Sequence, residues 1–117
     1  MSSTPLGPYT PVVAAGPWLI VSGQVGVSDG QMVPGGVAAQ TRQAVANLSA
    51  LLAQHGASLD DVVKTTVFMA DISDFATINE AYMAAFGNHR PARSAVAVAG
   101  LPLGALVEVE GWAYRPS

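Results

Sequence analysis

A chain of 117 residues without cysteine can bury one core of ordinary domain size, but it offers no disulfide, thiolate nucleophile or sulfur-ligated metal. Its formal charge is −3, with 5 Lys and Arg against 8 Asp and Glu and no basic cluster, so nucleic-acid binding has no electrostatic support. Only 11% of the residues are charged and half are hydrophobic, against about 25% charged in an average soluble domain. No apolar run nears the roughly 20 residues of a membrane span, and the N-terminus lacks the basic start and long apolar core of a signal peptide. The apolar surplus is therefore expected at a contact between copies of the chain. One domain spanning residues 1–117 in a reducing cytoplasm is the expected setting, with no membrane association.

In chain order, residues 11–15 and 18–22 are predicted as short strands divided by the turn Gly16-Pro17. A third short strand is placed at 31–33, after the turn Ser28-Asp29-Gly30. Over residues 37–55 the set Thr41, Ala44, Val45, Leu48, Leu51, Leu52 recurs at three- and four-residue steps, with Arg42, Gln43, Asn47 and Gln54 opposite. That period is an amphipathic helix, and Gly56 stands where a left-handed C-terminal cap belongs. Residues 62–69 alternate Val63, Thr65, Val67, Met69 with Lys64, Thr66, Phe68, as in a strand covered on both faces.

A second helix is expected to start at Ser73 or Asp74, either of which can cap it. Its inner stripe reads Phe75, Ile78, Asn79, Tyr82, Met83 and Phe86, and Gly87 stops it. Residues 94–99 and 105–114 then read as strands. The order ββ(β)αβαββ predicts an α+β domain with two helices packed on one face of a mixed sheet. Because strand residues of both faces are apolar, the bare face must meet another subunit.

Chemistry concentrates at few positions. Arg93, in Pro91-Ala92-Arg93-Ser94-Ala95-Val96, stands at the mouth of an apolar strand, where a guanidinium is desolvated on one side and its donor fork suits a small carboxylate. Pairing with a nearby Glu to close the strand end is the competing reading. Glu108 and Glu110, two apart on the last strand, share a face with Leu106, Trp112 and Tyr114 at a Cβ separation of about 7 Å. Burial of either beside apolar residues would raise its pKa and make it a base or water-orienting group; pairing with Arg93 or Arg42 is the alternative.

Tyr9, between Gly7-Pro8 and Pro11, presents an aromatic wall with a polar tip or packs the N-terminus on the sheet. Ser22, before Gly23-Gln24, reads as a hydrogen-bond donor or strand-end residue, since no histidine is placed to make it a nucleophile. Asn79, as a buried amide, ties a neighbouring loop to its helix or meets a ligand. His55 and His89 lack metal-ligand spacing, and the glycines lack the lysine and helix of a phosphate loop. No metal or nucleotide cofactor is expected.

Taken together, GPYTP at 7–11, VSGQ at 21–24, QTRQAVANL at 40–48, DDVVKTTVFMADISDF at 60–75, NEAY at 79–82, PARSAVAVAGLP at 91–102 and ALVEVE at 105–110 resemble the RidA/YjgF family, also called Rid or L-PSP. The resemblance implies a chorismate-mutase-like subunit and a homotrimer whose sheets form a central β-barrel, with clefts between neighbouring subunits. It implies hydrolysis of reactive 2-imino acids, such as 2-iminopropanoate and 2-iminobutanoate, to 2-keto acids and ammonia without a cofactor. Arg93 would clamp the substrate carboxylate, Glu108 would orient water, Tyr9 would line the cleft, and Ser22, Asn79 and the backbone of Ala95 would complete it. Many deaminase members carry a glutamate and an arginine where this chain has Ala97 and Gly100, a cysteine at Ala95 and a glutamine at Pro11. A non-catalytic small-carboxylate binder and an endoribonuclease or translation inhibitor are the family's other possibilities.

Overall fold

A positive-φ turn at Gly16 (φ 60) folds β1 (Val12–Ala15) back on β2 (Trp18–Val25) as an antiparallel pair. The computed structural model describes residues 7–116. β2 runs past the predicted end at residue 22 because a bulge carries it on: Val21 pairs with Gly111 and Gln24 with Val109, leaving Ser22 and Gly23 opposite Glu110 alone. A two-residue hairpin follows, β3 (Val27–Ser28) with β4 (Gln31–Met32), turned by Asp29 (φ 54) and Gly30 (φ 79). Positive φ at both turn residues is the geometry that matches strand twist. Only β4 was foreseen, since two residues of β3 carry no readable period.

Helix α1 (Gly36–Ala53) buries Thr41, Ala44, Val45, Leu48, Leu51 and Leu52 as the period predicts. It ends in paired bonds, Ala57 N donating to Leu52 O (3.0 Å) and Gly56 N to Ala53 O (3.1 Å), with Gly56 at φ 73. This is the Schellman arrangement expected of a glycine stop. Asn47 departs from expectation by facing inward. Its Nδ2 donates to Val25 O and Val27 O, both at 3.0 Å, and its Oδ1 accepts from Gln43. Gln40 is buried too, its Oε1 accepting from Leu106 N at 2.9 Å. Asn47 thereby ties the helix to the junction of β2 and β3, and Gln40 to the residue before the last strand.

β5 (Val62–Met69), β6 (Ala92–Ala97) and β7 (Val107–Tyr114) complete a five-stranded sheet in the order β1-β2-β7-β5-β6. β5 and β6 are parallel and the remaining pairs antiparallel, so the sheet is mixed as predicted. The crossover from β5 to β6 is α2 (Phe75–Phe86). A helical turn at Ile72–Asp74 leads into it, capped by Asp71, whose Oδ1 accepts from Ser73 N at 2.9 Å. α2 itself starts after Asp74, as expected, but Asp74 makes no side-chain cap bond, and the side-chain cap is that of Asp71 on the preceding turn.

α1 and α2 pack together on one face of the sheet over Val67, Met69, Val107 and Val109. α2 is rotated relative to its predicted stripe: Ile78, Ala81, Tyr82 and Phe86 are buried, whereas Phe75 and Met83 are exposed. The opposite face of the sheet is bare. Val13, Val63, Val96, Trp112 and Tyr114 are exposed there, so β5 is covered on one face only within the chain. Among the described residues no helix is long and apolar enough to cross a membrane.

Candidate active site

Arg93 lies on β6, an edge strand, directly across from Thr65 of β5. Thr65 is buried on the helix-covered face, and residues in register share a face, so the arginine side chain rises on the helix side. There Nη1 donates to Asn79 Oδ1 at 2.8 Å. The guanidinium carbon lies 5.1 Å from the centre of the Tyr82 ring and 5.7 Å from that of Phe75. Phe75, Asn79 and Tyr82 follow one another at steps of four and three, so one stripe of α2 delivers all three contacts.

Among the described residues the ion pair is Arg115 with Asp61 at 4.0 Å; Arg93 is held by an amide and two aromatic faces and by no carboxylate. The Glu-paired alternative is therefore not how this chain uses Arg93. Its remaining N–H donors are left for a bidentate anion.

Ala95 follows on the same strand, with its methyl group against the core. Val98 N donates inward to Met69 O at 2.9 Å. Strand alternation gives Val96 and Ser94 the same inward role and turns the amides of Ala95 and Arg93 to the free edge. A carboxylate on the guanidinium can meet them there.

Glu108 occupies the other side. Its register partners are Val25 and Phe68, and residues 65 and 68 of β5 have opposite parity, so Glu108 and Arg93 point to opposite faces of the same sheet. The carboxylate of Glu108 sits over Gly23 in the β2 bulge, where an added Cβ would come within 2.5 Å of Oε2. Partial burial pushes the Glu108 pKa up, and the neighbouring Glu110 charge pushes it further. Both causes favour the proton that a base must be able to accept.

Ser22, on the same bulge, is committed to the fold: its Oγ donates to Thr10 O and its backbone N to Pro11 O, both at 2.8 Å. These bonds pin the segment carrying Tyr9, whose ring is 44% exposed. Tyr9, Ser22 and Glu108 thus cluster at the β2 bulge, while Asn79, Arg93 and Ala95 cluster at the β6 edge. One chain does not bring the two groups into one pocket.

Neither histidine joins them. His89 donates from Nε2 to Val62 O at 2.6 Å, tying the loop after α2 to β5, and His55 is exposed beyond the end of α1. Among the described residues no three His, Asp or Glu side chains converge as a metal would require. Sequence reasoning missed Gly23 as the seat of Glu108, placed the exposed Phe75 in the core, and located Tyr82 in the core without showing that its ring also faces Arg93. The spacing of Phe75, Asn79 and Tyr82 was the available signal, since it puts two rings and an amide along one line.

Comparison with known proteins agrees across nearly the entire chain. The endoribonuclease L-PSP family matches residues 1–115. A mouse protein named 2-iminobutanoate/2-iminopropanoate deaminase is 46% identical, the match covering 94% of this chain and 82% of the mouse protein. An Escherichia coli protein of the same name is 45% identical over 94% of this chain and 89% of its own. The solved structure of E. coli TdcF with bound serine superposes with a TM-score of 0.87 at 38% identity, covering 95% of this chain and 91% of that one. With sequence and overall fold in accord, this chain belongs to the endoribonuclease L-PSP family, the RidA/YjgF proteins.

Proposed function

We propose that this protein hydrolyses reactive 2-imino acids, such as 2-iminopropanoate and 2-iminobutanoate, to 2-keto acids and ammonia. The observation that carries the reading is the state of Arg93: a guanidinium oriented by neutral partners, with no carboxylate of its own. Such a group is prepared to take one from a ligand. The names of the mouse and E. coli relatives agree with this substrate class.

The site is completed between copies of the chain. Arg93 at the β6 edge and Glu108 at the β2 bulge lie on opposite sheet faces, so a substrate touching both needs the Arg93 of one copy beside the Glu108 of another. The exposed apolar face with Val13, Val63, Val96, Trp112 and Tyr114 supplies the surface for that assembly. We propose a homotrimer of the chorismate-mutase-like kind, with these faces packed as a central barrel and the clefts at its seams. Tyr9 walls the cleft, and Asn79 and Ala95 complete its carboxylate end.

In that cleft the imino carbon is already electrophilic, and catalysis is a matter of orientation and charge. Arg93 and the outward amide of Ala95 hold the substrate carboxylate. Glu108 takes a proton from water as its oxygen bonds to the imino carbon. Passing that proton to nitrogen gives a tetrahedral carbinolamine, and moving the remaining hydroxyl proton to nitrogen, again through Glu108, forms the keto C=O as the C–N bond breaks and ammonia leaves. The raised pKa of Glu108 suits a group that both accepts and returns a proton. The endoribonuclease reading is disfavoured by charge: the chain carries 5 Lys and Arg against 8 Asp and Glu, a formal charge of −3, with no basic cluster.

The test is a coupled assay in which an amino-acid oxidase generates 2-iminobutanoate and semicarbazide traps it. The native protein is expected to suppress semicarbazone formation and Arg93→Ala to lack that effect. No suppression by the native protein with several imino acids would rule out the deaminase reading.

A further inference from the structure

The arginine of the proposed site sits on an edge strand, where a long flexible side chain loses rotamer freedom each time it binds unless something already holds it. The structure supplies such a hold from below. The Tyr82 ring, buried, lies 5.1 Å from the guanidinium carbon, inside the ~6 Å range of a cation–π contact. Its hydroxyl is 2.6 Å from Thr65 Oγ1, and Thr65, fully buried, is the residue paired with Arg93 across the parallel strands. Phe86 stacks on the same ring with centroids 4.6 Å apart. Three elements therefore meet in a closed triangle: β5 holds the phenol, α2 carries the ring, and the ring faces the arginine of β6.

A phenylalanine at this place would bury the same apolar area without a hydroxyl to satisfy. The hydroxyl adds one thing, a fixed bond to the strand neighbour of Arg93. Phe75, exposed to 41%, touches the guanidinium with no comparable anchor. Asn79 fixes a single N–H in the plane of the group, whereas a ring face fixes the plane itself, and a bidentate carboxylate reads that plane.

We infer that Tyr82, anchored by Thr65, is a positioning residue that holds the plane of the Arg93 guanidinium for carboxylate binding. This rests on the reading of Arg93 as the carboxylate clamp. It adds a buried phenol–threonine pair as the element that sets the affinity of that clamp.

The test uses the full chain and 2-oxobutanoate, the stable keto acid, as probe. Its affinity is measured by calorimetric titration, and the exchange rate of the Arg93 Nε–Hε proton by NMR, for native protein, Tyr82→Leu, Tyr82→Phe and Thr65→Val. Tyr82→Leu is expected to raise Kd by about tenfold or more and to speed Arg93 Nε–Hε exchange, as loss of a desolvated cation–π contact requires. Tyr82→Phe and Thr65→Val, which keep the ring and free it, are expected to raise Kd by roughly threefold each and not to add when combined.

A folded Tyr82→Leu protein with native Kd and native exchange overturns the inference. Should that variant fail to fold, unchanged Kd in both Tyr82→Phe and Thr65→Val overturns it equally. If the native protein itself does not bind 2-oxobutanoate, the carboxylate reading of Arg93 fails and takes the role of Tyr82 with it. That outcome is told apart from failure of the brace alone by the native titration.

Discussion

The carboxylate of Glu108 rests on the bare Cα of Gly23: a methyl group there would lie 2.5 Å from Oε2 and 2.7 Å from Cδ. Gly23 is not among the glycines with positive φ, so its backbone accepts alanine without strain. The three nearest atoms that an alanine methyl would meet all belong to the flexible side chain of Glu108. Gly23→Ala is therefore expected to melt within a few degrees of the native protein while its kcat falls about 100-fold, the scale of a ~1 Å misplacement of a catalytic group. Thermal denaturation and the semicarbazide assay on one preparation check both halves.

Replacing Glu108 itself separates function from stability. Burial and the Glu110 charge raise its pKa in the folded chain, so the folded state binds that proton more tightly than the unfolded one. The associated stability is complete below the unfolded glutamate range and is lost as pH rises through the folded pKa. Glu108→Gln does not ionise, and is expected to melt higher than the native protein at pH 7, to lose this advantage at acid pH, and to be inactive. In the native enzyme the acidic limb of kcat/KM is expected above the ordinary glutamate range, and Glu110→Gln is expected to move it down. A pH series of melting and rate measurements decides each point.

Asn79 and Arg93 make a sharper electrostatic test. Asn79→Asp keeps shape but places a charge 2.8 Å from Nη1, which pairs the guanidinium internally and competes with any ligand carboxylate. Affinity for 2-oxobutanoate is expected to fall at least about tenfold, or ~1.4 kcal/mol. Arg93→Lys keeps the charge and removes the fork, and a loss of similar size is expected because a point charge does not hold a carboxylate in two places. Calorimetric titration of both variants reads the outcome.

On the bare sheet face Trp112 is 43% exposed and packs edge-on to Trp18, with ring centroids 6.1 Å apart. These rings line a hollow of about 410 Å³ with Val63, Lys64, Thr66 and Glu110. Trp112→Glu puts a second acid beside Glu110 on a surface that the proposed trimer buries; even with Lys64 as its cross-strand neighbour, taking that charge out of water costs more than burying the indole. Sedimentation is expected to show a trimer for the native protein and monomer for the variant, with activity lost in parallel.

Asn47 tests a purely structural role. Removing its amide leaves the carbonyls of Val25 and Val27 without that donor inside the fold. Asn47→Ala is expected to cost on the order of 1–3 kcal/mol in urea denaturation and to leave the carboxylate affinity unchanged per folded molecule.

The period of α1, the alternation of β5, the glycine stops at Gly56 and Gly87 and the family motifs were all legible in the chain, because each depends on residues close in sequence. Arg93 stood out as a candidate for a related reason: it is an arginine in an apolar strand of a charge-poor chain. The length of β2 was hidden by its bulge, and the inward turn of Asn47 and Gln40 was hidden because a polar residue on an inner face is indistinguishable from an outer one until the loop it serves is in place. Periodicity tells which side chains share a face of one element. It does not tell which elements share a side of the sheet. Only the pairing of β5 with β6 and β7, set by long-range hydrogen bonds, decided that Arg93 and Glu108 point to opposite faces, that α2 turns Phe75 outward and Tyr82 onto the arginine, and that Glu108 finds its seat at a glycine 85 positions earlier in the chain.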